Sequence, residues 1–397
     1  MAKAGKRHLR RSIKITLAVI ALALAGTAGW AVFNNRGKGG NEQETADQPT
    51  PDTTPEAAPA VQEYHASMFF TGDALLHGTV YRAGRQNDGT YNYMGMMDLL
   101  GAVAEPYDLQ YYNQETILGG TQLGLHGYPT FNSPQEYGDT MVNYGFNLVS
   151  TANNHSLDQG WRGIESSLNY WKTKEGVVTA GTYLSQEDHD ALPVYEINGI
   201  TYTFLSWTYG TNGILPPSNM QYIVNDYSRD RQAMLDQVRK ANDMCDVVIM
   251  AVHWGTEYVM EPNEDQKQLA RELVDAGADI IIGNHPHVIQ PAEHIGDAIC
   301  FYAMGNMISA QANLYNWVGM MGGLDIHKTV ADGKTTVKIE NVRADLIYTW
   351  MNPTHTAFRT YPFNQLTDDI LPDHEAVYEK YKAYITKMDD TIQVGGV

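Results

Sequence analysis

The chain has 397 residues, a formal net charge of −19, a hydrophobic share of 43% and two cysteines. Its length and apolar content suit one large or two moderate domains, and so few cysteines exclude a disulfide-rich scaffold or a thiolate zinc cluster. The first 38 residues carry eight cations and no acid, so the rest is more acidic than the total, which excludes nucleic acid as a natural partner.

Residues 1–12 form a basic segment, and 13–33, "IKITLAVIALALAGTAGWAVF", end in an uncharged apolar run. A run of about 19 such residues spans a hydrocarbon core of ~30 Å and predicts a transmembrane anchor. The preceding cations keep the N-terminus cytoplasmic, with Trp30 at the outer interface. The small residues of "ALAGTAG" also fit a cleaved signal peptide; in either case the body is exported. The expected location is the cell membrane, single-pass, with the folded domain extracellular. Residues 34–63 lack apolar periodicity, are rich in Pro, Thr, Glu and Gly, and predict a disordered stalk.

Beyond the stalk, apolar runs repeatedly end in reactive polar residues. "ASMFFTGD" runs into Asp73, "LQYYNQE" into Asn113 and Glu115, and "FNLVSTANNH" into Asn154 and His155. A helix is expected over "DQGWRGIESSLNYWKTKEG", stopping at Gly176, then a strand in "FLSWTYGTNG" leading to a loop near the cleft. "SRDRQAMLDQVRKAND" carries a Ser-x-Asp cap signal and an apolar face of Met234, Leu235 and Val238. "DVVIMAVHWG" ends at His253. "NEDQKQLARELVDAG" begins at an Asn cap and stops at Gly277. "ADIIIGNHPH" leads to His285 and His287, and "AICFYAMGN" to Asn306. Cys245 and Cys300 adjoin apolar runs and read as buried free thiols, a single disulfide being the alternative. The domain is taken as 64–330. Residues 331–397, with a strand-like "TTVKIENVRADLIYTWM" and a helical "HEAVYEKYKAYITKMD", are taken as an extension packed on it.

Alternating strands and helices predict an α/β fold with a sheet covered on both faces, and such sheets place ligands at the carboxyl ends of their strands. Singly, each polar residue has a structural alternative. Asp73 suits a turn, Glu115 the surface, Asn154 a helix cap, His253 a satisfied core position, and the two histidines of "HPH" a tight turn. Jointly, if one sheet gathers them, Asp73, Glu115, Asn154, His253, His285 and His287 form an oxygen-and-imidazole set without thiolate. Such a set suits one or two divalent ions, Mn, Zn or Fe. No Gly-x-Ser-x-Gly elbow, Walker loop, Rossmann fingerprint or His-Glu-x-x-His is present, so a nucleotide-driven ligase is not expected within this chain.

The ordered blocks "TGDALLHG", "NQE", "NLVSTANNHSLDQG", "VHWGTEY", "IIGNHPHVIQPAE" and "YAMGN" resemble the CapA family, linked to poly-γ-glutamate capsule synthesis. That family is similar in fold to the calcineurin-like metallophosphoesterases. The resemblance spans roughly residues 66–310. It implies a β-sheet sandwich layered with helices, and a membrane-anchored protein of surface-polymer synthesis or export. It implies membrane-bound synthase or export subunits as partners and a polyanionic or phosphorylated substrate. A non-catalytic accessory subunit and a secreted phosphoesterase are the alternatives. Position by position, it makes Asp73 the first-strand metal ligand, Glu115 the bridging acid with Asn113 beside it, and Asn154 a metal ligand. It makes His155 the imidazole acting on substrate, held by Asp158, while His253 and His285 complete one ion and His287 the other. Leu75 departs from the pattern, standing where metallophosphoesterases usually carry a histidine. His77, four residues after Asp73, is the candidate additional ligand, and a mononuclear site is the alternative to a dinuclear one.

Overall fold

A computed structural model describes residues 61–397; the basic segment, the expected anchor and nearly all of the expected stalk lie outside them. Among the described residues no helix is long and apolar enough to cross a membrane. The chain opens with β1 (Gln62–Ala74), β2 (Leu109–Asn113), β3 (Leu148–Ser150) and β4 (Val178–Ala180), which lie side by side and parallel. β1 therefore takes in Gln62 and Glu63, the last residues assigned to the stalk. A separate six-stranded sheet follows, from β5 (Tyr195–Ile197), β6 (Ile200–Thr208), β7 (Val247–His253), β8 (Ile280–Asn284), β9 (Ile289–Ile295) and β10 (Ala298–Met304), in the order β5-β6-β7-β8-β10-β9. The chain then returns to the first sheet with β11 (Asn306–Ile308), β12 (Val318–Ala331), β13 (Lys334–Met351), β14 (Phe358–Pro362) and β15 (Gln393–Val394). That sheet has nine strands, its main path running β14-β13-β12-β1-β2-β3-β4, with β11 beside β1 and β15 beside β13. The segment after residue 330 is thus more than a packed extension, because β13 pairs along β12 and carries the sheet outward.

The period-two alternation of strands explains the layers. In β1, Ala66, Met68 and Phe70 face the second sheet and share one core with Val247, Ile249 and Ala251 of β7 and Ile280 and Ile282 of β8. Phe70 meets Phe301 edge-on across that interface at 4.7 Å. The opposite faces are buried as well. Phe69, Tyr112 and Val149 pack with Met97, Leu100, Met141 and Trp171, on the helices Met94–Ala104, Glu136–Asn143 and Gly160–Trp171. Val248, Met250 and Val252 pack with Met234, Val238, Leu269 and Leu273, on the helices Arg231–Asn242 and Glu264–Ala276. Strands buried on both faces explain the continuous apolar runs, each buried Ile or Phe contributing roughly 1.5–3 kcal/mol. The result is a helix–sheet–sheet–helix sandwich, a mixed α/β architecture that fits a metallophosphoesterase-like fold.

Local signals set the helix ends. Asp230, not Ser228, caps the helix Arg231–Asn242, accepting from the Ala233 amide. Asn263 and Gln266 form a reciprocal capping box, and Gly277 closes that helix at φ 109°. Asn263→Ala is expected to lower stability by about 1 kcal/mol, read as a lower urea midpoint; an unchanged midpoint would show that the box contributes nothing. The helix from Gly160 has no side-chain cap at Gln159, so Asn154 is not a capping residue. It ends at Trp171, five residues before Gly176. Cys245 and Cys300 are free thiols.

Candidate metal centre

The site lies where the carboxyl ends of strands from both sheets meet. β1 delivers Asp73, β2 delivers Asn113 and then Glu115, and the loop after β3 delivers Asn154 and His155. From the other sheet, β7 ends at His253 and β8 runs into His285 and His287. Convergence is therefore between two sheets, not within one. A single residue, Gly305, carries the chain from β10 in one sheet to β11 in the other, at φ 67°. Its carbonyl accepts from the Asp73 amide at 2.9 Å. Gly72 makes this approach possible, because a Cβ there would overlap the Gly305 carbonyl oxygen.

Asp73, Asn113 and Glu115 are fully buried, and Asn154, His253, His285 and His287 nearly so. Glu115, His285 and His287 each offer a ligand atom within 4.8 Å of the others. His287 places Nδ1 3.3 Å from Asp73 Oδ2 and Nε2 3.5 Å from Glu115 Oε1. His253 Nε2 lies 3.0 Å from Asn154 Oδ1 and 3.7 Å from Glu115 Oε1, and its ring centroid is 4.8 Å from that of His285. Asn113 donates to Asp73 Oδ1 at 2.8 Å and accepts from the Ser150 hydroxyl at 2.7 Å, so it orients Asp73. His285 and His287 adopt φ of 97° and 56°. Such left-handed conformations are rare for residues with a Cβ and cost about 1–3 kcal/mol each. Strain at both histidines of "HPH" aims their rings into one space.

The donor set fits a cation. Both carboxylate oxygens of Glu115 and Nδ1 of His285 are buried without a hydrogen-bond partner, and a buried carboxylate without donors is costly unless a positive charge meets it. Burial pushes the Glu115 carboxyl well above its usual range, against the pull of His287. Burial also opposes a charge on His287, yet Glu115 and Asp73 outweigh it and raise that imidazole to about 9. Both directions favour protons on the pair when no cation is bound, and a divalent ion would compete with those protons for the same atoms. Burial, with the neighbouring histidines, lowers His253 well below the ordinary value and His285 to about 3, leaving them neutral, as metal-ligating imidazoles are.

Beside this cluster, His155 Nδ1 lies 2.7 Å from Asp158 Oδ2. Asp158 also accepts from the Phe131 amide at 2.6 Å, and the Phe131 ring meets the imidazole edge-on at 4.7 Å. A cleft of about 290 Å³ opens over them, walled by Tyr128, Asn154, His155, Asn212, Ile214 and Glu257. Asn212, from the loop after β6, accepts from the Asn154 side-chain amide at 3.4 Å.

The additional candidate His77 stands apart from the close cluster. Its Nδ1 lies 3.2 Å from the Leu75 carbonyl and 3.3 Å from the Ala310 amide, and burial lowers it to about 4. Leu75 is buried in the apolar interior. Three neighbours are not marked as site residues by the chain alone. Asn306 lies 3.0 Å from His287 Nδ1. Tyr209 packs 4.6 Å from His285. The Tyr111 hydroxyl donates to Asn284, just before His285, at 2.6 Å. Only Asn306 carries a signal in the chain, its place after an apolar run.

The family model described as bacterial capsule synthesis protein PGA_cap matches residues 67–311. The chain belongs to this CapA family. Among curated proteins it is 34% identical over 168 residues to the PGA biosynthesis protein CapA of Bacillus subtilis, covering 42% of this chain and 43% of that one. It is 32% identical over 173 residues to the capsule biosynthesis protein CapA of Bacillus anthracis, covering 42% and 41%. The matches thus span about two fifths of these CapA relatives' length. A solved chain, a hypothetical protein from Thermus thermophilus, aligns at 16% identity and a TM-score of 0.38, over 69% of this chain and 99% of its own, too low to carry a statement about fold.

Proposed function

We propose that this CapA-family chain serves poly-γ-glutamate or a related surface polymer, in synthesis or export, as a membrane-anchored extracellular protein with a divalent-metal cleft of hydrolase type. The observation carrying the metal reading is Glu115, with two donor-free buried oxygens facing His285 and His287. When bound, the ion would supply Lewis acidity at a phosphoryl or acyl oxygen. Asp73, Glu115, Asn154, His253, His285 and His287 are the residues to hold it, with Asn113 orienting Asp73. Asp158 engages Nδ1 of His155, leaving Nε2 to give or take a proton at the substrate. Phe131 packs edge-on against that imidazole.

The second reading is an accessory that contacts a membrane synthase and guides the polymer without turnover. Among the described residues the wall of the cleft includes Glu257 and no Lys or Arg, so in either reading a polyanion held there would depend on the bound metal for positive charge. Complementation with Asn154→Ala/His155→Ala separates the two. Loss of polymer output is expected, with any phosphoester or amide hydrolysis by the purified chain falling about 10²-fold or more. Full output from the double variant would establish the accessory reading instead. Activity on a panel of simple phosphoesters, with no effect on polymer, would mark a secreted phosphoesterase.

A further inference from the structure

A second group of ligand-type side chains stands on the outer face of the first sheet, beyond the helices that cover it. Alternation places Glu63 and His65 on the face of β1 opposite Ala66 and Met68, and His327 opposite Leu324 and Ile326 of β12. His65 and His327 are direct cross-strand partners, their rings stacked at 4.2 Å and 24°. Glu63, His65 and His327 each offer a ligand atom within 4.8 Å of the others. Behind them, Glu340 of β13 brings Oε2 to 3.6 Å from His327 Nδ1.

An independent feature is His327 Nε2, buried and without a hydrogen-bond partner. A buried imidazole nitrogen left unpaired is costly, and a ligating histidine characteristically turns its other nitrogen to a carboxylate. Here the Glu340 carboxylate lies on the Nδ1 side, and Nε2 is the nitrogen left without a partner. Two imidazoles and one carboxylate, without thiolate, suit Zn²⁺ with an open fourth position. Glu63 and His65 are exposed and can close the remaining distance by rotamer change.

We propose that Glu63, His65 and His327 form a zinc-class site that pins the start of β1 to β12, with Glu340 as the positioning residue for His327. This site is independent of the cleft and of what the cleft does.

The test uses the full chain, stripped with chelator and dialysed at a fixed free Zn²⁺, with zinc content read by elemental analysis and folding by circular dichroism. His65→Gln/His327→Gln is expected to lose one equivalent of zinc, while His285→Ala in the cleft retains it. Glu340→Gln is expected to weaken zinc affinity at the sheet by about 10–100-fold, with unchanged melting in chelator. Should the double histidine variant misfold, Glu63→Gln, at an exposed position, takes its place and loses the same equivalent. Equal zinc content and affinity in the unmodified chain and in the folded variants would overturn the proposal.

Discussion

His285→Ala is expected to abolish divalent metal in the cleft while both sheets stay folded. His285 contributes a buried, neutral imidazole to the close cluster with Glu115 and His287, and its removal leaves the Glu115 carboxylate with one imidazole fewer. His253→Ala should act in the same direction through the neighbouring position. The apoprotein should remain compact, because His285 sits at a strand end and not in the layers that bury the apolar faces. The linked readout is thermal: an ion binding only the native state adds about 4 kcal/mol of stability at roughly 1,000 times its dissociation constant. Mn²⁺ or Zn²⁺ should therefore raise the melting temperature of the unmodified chain and much less that of the variant. Glu115→Gln gives an opposite pair of effects. It removes a carboxylate that burial disfavours, so the apoprotein should be at least as stable, yet the response to metal should be lost. Unchanged cleft metal in His285→Ala, by elemental analysis on a chain also carrying His65→Gln/His327→Gln, would sink the metal assignment.

Gly72→Ala should be more damaging than its one added methyl suggests. The new Cβ would overlap the Gly305 carbonyl oxygen, a backbone atom that cannot rotate away. Overpacking of this kind costs typically about 1–3 kcal/mol and more where only backbone can yield. Relief requires β1 and β11 to separate, which breaks the 2.9 Å hydrogen bond from the Asp73 amide and moves the Asp73 carboxylate away from His287. The urea midpoint and the affinity for metal should fall together. A variant with an unchanged midpoint and unchanged metal binding would show that the crossing has slack. Alanine at Gly296 is the control: its φ of 64° adds a modest backbone strain, but a Cβ there meets nothing within 4 Å, so metal affinity should not change.

Much of the centre was legible along the chain. Buried strands advertise themselves as apolar runs, and a strand's last residue must lie at a sheet edge, so Asp73, His253 and the "HPH" turn were marked by position alone. Hard and borderline ligands without thiolate pointed to a divalent ion by chemistry. The order of the blocks was enough to indicate the family. Burial settled what chain position left open: Glu115 is fully enclosed, so it is no surface carboxylate, and Gln159, not Asn154, precedes the helix at Gly160.

Other features were decided only by the tertiary structure. Apolar runs do not state which strands pair, so a division into two sheets was not readable from them; it follows from register and from which faces share a core. The His285 amide reaches Asp73 across 212 residues of sequence at 3.3 Å, a distance that no local periodicity encodes. Gly305 reads as an ordinary turn glycine until its carbonyl is seen against Gly72. His65 and His327 are ordinary singly, and become a pair only through the antiparallel register of β1 and β12. Local sequence determined elements and ligand chemistry, because those depend on side chains a few residues apart. The packing of two sheets determined the site, because only that brings distant strand ends to within ångströms of one another.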